Sequence, residues 1–328
     1  MKSVFVRLTT LLAVLALVVT ACGDDGDDVG GSGGTDEDEG SIAADYDLSG
    51  ASFTVGSKDF TEQLILGQIA IAALEAAGAS VTDQTNLGGT VVARQALESG
   101  DIDLYWDYNG TGWIEFLGET EVTSDGDALY EQVREADLEE NGIVWYEPAP
   151  LNNTYALAQS QEAADEFGVT NLTEYGELVE SSPDDATLCI ESEFESRDDG
   201  LPGMEEHYGY DVPTDIITVL DIGPVYQATA DRDPCNFGEV FASDGRIAAL
   251  DLTVLEDDQG FFPPYNPSVT VREETHEEHG DQLSELFAEI ANALDLETMQ
   301  ELNARRDVED EFEEDIAREW LQENGFIG

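Results

Sequence analysis

The chain has 328 residues, with 74 aspartates and glutamates against 12 lysines and arginines and a formal net charge of −62. The acids run along its whole length, which excludes nucleic acid as a partner, because gripping phosphates requires clustered positive charge. Self-repulsion on this scale is tolerable where salt screens it, so a saline habitat is expected; an acidic but ordinary extracellular protein is the alternative.

Met1, Lys2 and Arg7 make a basic start, and Leu11 to Ala21 is apolar except for Thr20. The run is too short for a membrane span and reads as an export signal. Its end, "VVTAC", resembles a bacterial lipobox, in which Cys22 becomes the lipid-bearing first residue; a plain signal peptide cut nearby is the other reading. Residues 23–49 are mostly Gly, Asp, Glu and Ser, with too little apolar surface to offset the entropy of folding. They are expected to form an acidic flexible tether. A lipid at Cys22 and a soluble domain from residue 50 would place the protein on the extracytoplasmic face of the cell membrane.

In chain order, "SFTVG" (52–56) is expected as a strand and Thr61 to Ala77 as a helix that Gly78 ends, with Leu64, Ile65, Ile69, Ala72, Ala73 and Ala76 on one side. "SVTDQTN" is a second strand. Thr90 reads as the N-cap of a helix through Leu97, stopped by Gly100. "DIDLYWDY" (101–108) alternates, sending Ile102, Leu104 and Trp106 to one face. Strand–helix–strand–helix–strand with short joints predicts a parallel α/β domain. Further on, 113–140 reads as mostly helical and "GIVWYEPAP" as a strand running into prolines. "NTYALAQS" is followed by a helical stretch. Strands "TLCI" and "DIITV", helices at "MEEHYG" and near Val225–Ala230, and "EVFASDG" come next. The tail from Glu274 reads as two or three helices. The N-x-T sequons at Asn109, Asn152 and Asn171 carry little weight, since two lie in candidate site loops.

Export permits a disulfide between Cys189 and Cys235; two isolated buried thiols are the alternative. No metal spacing is present. His276 and His279 sit in "THEEH", which lacks the H-E-x-x-H spacing of a zinc hydrolase, and His207 stands apart in an acid-rich helix. There is no phosphate-binding P-loop and no G-x-S-x-G. A solute-binding module without cofactor fits better than an enzyme.

Lys58 is the sole lysine after residue 22, and it lies between a strand and a helix. Ligands of open α/β sheets bind beyond the carboxyl ends of the strands, where the next helix also points free N–H groups, so Lys58 is placed to meet an anion. Tyr108, Tyr155, Phe241 and Tyr265 fall at strand ends or in loops. Aromatic faces attract cations, above all quaternary ammonium groups, which cannot donate hydrogen bonds.

"GSKDFTEQ" from Gly56, "LGGT" from Leu87, "GDIDLYWDYNGTG" from Gly100, "NNTYALA" from Asn152 and "LEDDQGFFPPY" from Leu255 together resemble one family. It comprises the glycine betaine, choline and carnitine binding proteins of osmoprotectant ABC importers, and the resemblance covers about residues 52 to 327. It implies a two-lobed α/β fold of the periplasmic-binding-protein type II, with a ligand cleft between the lobes. Lobe one would be 50–150 plus 261–328 and lobe two 151–260, hinged near Pro150 and Gln259. The family's cage tyrosines resemble Tyr108, Tyr155, Phe241 and Tyr265; its carboxylate-binding lysine and threonine resemble Lys58 and Thr111, and a lobe-two arginine resembles Arg197. Phe241 departs from the family's "YSTDG", keeping the π face without the hydroxyl. The implied protein is a monomer that captures a quaternary-ammonium solute, glycine betaine first and choline or carnitine next, and delivers it to a membrane permease driven by a separate ATPase. The rival expectation is an acidic surface lipoprotein that binds other proteins and no small solute.

Overall fold

The computed structural model describes residues 40–119 and 122–328; the signal segment 1–22 with Cys22, and residues 23–39 of the expected tether, lie outside them. Among the described residues the strands are β1 (Ser52–Gly56), β2 (Ser80–Gln84), β3 (Leu104–Tyr108), β4 (Ile143–Trp145), β5 (Tyr155–Ser160), β6 (Leu188–Ile190), β7 (Ile217–Val219), β8 (Phe237–Phe241), β9 (Leu252–Val254) and β10 (Pro267–Arg272). They form two five-stranded sheets, ordered β2-β1-β3-β10-β4 and β7-β6-β8-β5-β9. Both sheets follow one plan. A parallel trio is flanked by an antiparallel strand, β10 in one and β5 in the other, which pairs in turn with a short edge strand. The chain builds four strands of the first sheet, crosses to make the whole second sheet, and returns with β10. This is the two-lobed α/β architecture expected.

The α-helices are α1 (Gly40–Asp45), α2 (Thr61–Ala76), α3 (Thr90–Ser99), α4 (Asn109–Thr111), α5 (Gly126–Asn141), α6 (Gln161–Phe167), α7 (Leu172–Ser181), α8 (Ser192–Ser196), α9 (Leu201–Tyr208), α10 (Ile222–Asp231), α11 (Arg246–Ala249), α12 (Glu273–Asn292), α13 (Leu296–Asp307) and α14 (Glu313–Glu323). A π-helical turn, Gly112–Phe116, continues α4. The first βαβαβ run matches the periodicity, with Gly78 and Gly100 in the left-handed region after α2 and α3. α2 departs from the one-sided pattern. It is buried from Ile65 through Leu74 at every position but Gln68, because α13 and α14 cover the side turned away from the sheet. β3 is buried on both faces, so Tyr105 is as hidden as Trp106.

Two expectations are corrected. The tether does not extend to residue 49. From Gly40 the chain forms α1, and Ile42, Tyr46 and Leu48 join the core under α2 and α14. Ser41 and Ile42 donate backbone hydrogen bonds to the carbonyls of Gly325 and Phe326. Three apolar residues suffice to anchor a segment whose average composition is acidic. Thr90, in turn, is not an N-cap but the first residue of α3, behind Gly89. A side chain from the other lobe caps that helix instead.

Cys189 in β6 and Cys235 just before β8 form a disulfide, with Cα atoms 5.6 Å apart. Only ten lysines and arginines remain once Lys2 and Arg7 are set aside. Every one of them is ion-paired: Lys58, Arg94, Arg134, Arg197, Arg232, Arg246, Arg272, Arg305, Arg306 and Arg318.

Candidate functional site

The carboxyl ends of both parallel trios converge on a cavity of about 370 Å³. All seven residues singled out in the sequence line it: Lys58, Tyr108, Thr111, Tyr155, Arg197, Phe241 and Tyr265. Lys58 follows β1, Tyr108 ends β3, Thr111 closes α4, and Tyr265 precedes β10. From the other sheet come Tyr155, which opens β5, Phe241, which ends β8, and Arg197 after α8. Tyr155 and Phe241 are direct cross-strand partners, with ring centroids 5.4 Å apart.

The rings form a continuous wall. Tyr155 meets Tyr265 edge-on at 5.5 Å, and Phe60 bridges Phe241 at 5.2 Å and Tyr108 at 6.2 Å. Phe60 is a fifth wall that sequence reading missed. It stands two residues after Lys58 at the entry to α2, where an aromatic reads as ordinary helix packing. Burial pushes the phenols of Tyr108, Tyr155 and Tyr265 well above their usual range, so all three remain neutral rings. Close packing brings Tyr265 in: a methyl on Gly110 would fall 2.7 Å from the Pro264 carbonyl oxygen and 2.9 Å from the Tyr265 ring. The Asn109 carboxamide, fully buried, accepts from the backbone of Asn266 and fixes the same turn, which leaves that sequon no access to a glycan.

The polar end of the cavity holds two cations, and both have partners. Lys58 Nζ lies 2.8 Å from Asp107 Oδ1 and 5.2 Å from the Tyr108 centroid. Arg197 is bidentate to Asp199, with Nε to Oδ1 at 2.7 Å and Nη2 to Oδ2 at 2.6 Å. Asp199 also accepts from the Tyr265 hydroxyl at 2.6 Å. Arg197 reaches the opposite lobe as well, donating to Thr90 Oγ1 at 3.2 Å and Thr111 Oγ1 at 3.4 Å.

Acidic groups that sequence reading passed over organise the surroundings. Glu62 is buried and accepts from Tyr108 Oη at 2.8 Å, Asn153 Nδ2 at 3.0 Å, Asn303 Nδ2 at 3.3 Å and the Ser243 hydroxyl. It thereby joins α2, β3, the crossing before β5, the turn after β8 and α13. Burial raises its pKa, and the hydrogen bonds from those four groups oppose the rise. Beneath the second lobe's contribution, Glu239 on β8 accepts the Glu191 N–H at 2.7 Å. Among 74 acids no spacing marks these carboxylates out; the one signal available was the placement of Glu62 at the first turn of α2, beside the lysine motif.

Residues 51–323 match the family described as the substrate binding domain of ABC-type glycine betaine transport system. The chain is 38% identical over 278 residues to the glycine-betaine-binding protein of Pseudomonas aeruginosa, a match covering 83% of this chain and 88% of that protein. It is 33% identical over 277 residues to the glycine betaine-binding protein YehZ of Escherichia coli K12, covering 83% and 90%. The fold aligns with apo YehZ at a TM-score of 0.62 and 32% identity, over 84% of this chain and 99% of the other. It aligns with the crystal structure of a glycine betaine/carnitine/choline ABC transporter at a TM-score of 0.66 and 25% identity, again over 84% and 99%.

Proposed function

The chain belongs to the substrate-binding domain family of ABC-type glycine betaine transport systems, and on that premise we propose that its cavity captures glycine betaine and hands it to the membrane permease of an importer. Members of this family are extracytoplasmic solute-binding proteins, a class distinct from enzymes. The observation that carries the choice of ligand is the wall of five rings, Phe60, Tyr108, Tyr155, Phe241 and Tyr265, set against a polar end with Lys58, Thr111 and Arg197. A trimethylammonium group offers no hydrogen-bond donor and is held by π faces. A carboxylate, costly to bury unpaired, needs the donors at the other end.

Choline or carnitine is the second reading. A specific observation favours choline: Lys58 and Arg197 are already paired with Asp107 and Asp199. Calorimetric titration of the domain from residue 40 with glycine betaine, carnitine and choline in high salt tests the class. Saturable one-to-one binding is expected, with a change in tryptophan fluorescence on closure. Heat from an amino acid or a sugar and none from the quaternary ammonium solutes would overturn it. Silence towards every small solute would favour the acidic protein-interaction module.

Lobe one is 50–150 plus 261–328, joined by the α1 segment, and lobe two is 151–260. The hinge lies in the two crossings, near Pro150 and Gln259. Cys22 carries the lipid that holds a monomeric protein at the membrane, and the excess of acids adapts it to salt.

A further inference from the structure

The cavity already contains a carboxylate where a zwitterion would bring its own. Glu193, on α8, reaches across the cleft to the first lobe. It accepts hydrogen bonds from the Thr90 backbone N–H at 2.7 Å and from the Thr90 hydroxyl at 2.8 Å. Thr90 begins α3, a ten-residue helix whose N-cap, Gly89, supplies no side chain. The free N–H groups of such a helix start form a seat for an anion. Arg197 stands over the same point, with Nη1 at 3.2 Å from Thr90 Oγ1 and 3.5 Å from Glu193 Oε2. The seat is filled: a methyl on Gly89 would come within 2.0 Å of Glu193 Oε1. Yet Glu193 remains 32% exposed, so it is a rim side chain with room to swing rather than a core group.

We propose that Glu193 sorts ligands by the charge of the end opposite the ammonium. This rests on the quaternary-ammonium reading above. Lys58 and Arg197 face Asp107, Asp199, Glu193 and Glu115, so carboxylates outnumber cations at the polar end by four to two. A solute carrying a carboxylate must displace Glu193 from α3 or bind beside a like charge that, at a half-buried rim, solvent screens only in part. A cation with a neutral hydroxyl tail leaves Glu193 where it is. The residue thus handicaps zwitterions relative to choline-like cations, and it does so from outside the aromatic cage.

The test is a titration of glycine betaine and choline into the wild type, Glu193→Gln and Glu193→Ala at one salt concentration. Glutamine keeps an acceptor oxygen for the Thr90 amide and removes the charge; alanine empties the seat. Both variants should shift the ratio of betaine to choline affinity towards betaine by about five- to tenfold, the scale of one charge interaction at a partly buried site. An equal loss for both solutes would make Glu193 a plain cleft latch and overturn the proposal, as would an unchanged ratio. If the wild type and both variants bind neither solute, the quaternary-ammonium reading itself has failed, and this inference falls with it.

Discussion

Lys58 and Asp107 form an ion pair of 2.8 Å in which the two side chains are 3% and 0% exposed. Asp107 also accepts the Tyr108 N–H at 2.8 Å, so one carboxylate fixes both the lysine and the start of the cage. Removing the lysine alone strands a buried charge. Lys58→Ala should therefore lower stability by about 3–5 kcal/mol, and Lys58→Ala with Asp107→Asn should recover most of it. With the double variant as the folded reference, betaine binding should still fall by roughly 1.5–3 kcal/mol and choline binding much less. Denaturant unfolding and calorimetry separate the two effects; equal losses for both solutes would reduce Lys58 to a role in the fold.

Phe60 and Phe241 touch at 5.2 Å and stand on different lobes. Each alanine substitution should weaken betaine binding by more than about 1 kcal/mol, and the two together by an amount that departs from the sum, because they share one surface. Phe241→Tyr keeps the face and should change affinity by less than about threefold. Unaltered binding in Phe241→Ala would remove residue 241 from the cage.

Glu239 is fully buried, and one of its carboxylate oxygens has no hydrogen-bond partner. Burial, and after it the charge of Glu191, pushes its pKa from the ordinary 4.5 up to about 8 against the opposing Glu191 N–H bond. The folded protein thus holds a proton that the unfolded chain releases near pH 4.5, and stability is lost as pH rises from there through about 8. Glu239→Gln should match the wild type at low pH and exceed it at pH 9 by a margin on the order of a few kcal/mol. Melts across pH check this; parallel curves for the two proteins would refute it.

Salt should stabilise the fold. Repulsion among the surface acids is only partly screened at about 0.1 M, where the Debye length is near 10 Å. The melting temperature should climb between about 0.05 M and 2 M salt. A flat profile would count against a saline habitat.

Much of this architecture was legible because it rests on local patterns. Gly78 and Gly100 stop helices wherever they occur, and the apolar periods of β1, α2, α3 and β3 are strong. Lys58 stood out because the composition has so few cations to spare. Other features depend on what arrives from far along the chain. Thr90 looks like a cap until Glu193, more than a hundred residues on, supplies the carboxylate. α2 looks one-sided until α13 and α14 cover its back. Ile42, Tyr46 and Leu48 vanish into an acidic average, though each is buried. Glu62 and Glu193 were hidden by abundance: in a chain this acidic, a carboxylate with a task looks like all the others.

Because each lysine and arginine among the described residues is already bound to an acid, none of them is left to balance the surplus of acids. The medium must supply the balance, as a cloud of mobile counterions around the surface. An organic cation joins that cloud and is enriched at the mouth of the cleft before it ever touches a ring, whereas a net-neutral zwitterion gains nothing from it at long range. The frequency of encounter with a choline-like solute is then governed by how many sodium or potassium ions compete for the same cloud. For betaine it is governed by diffusion alone.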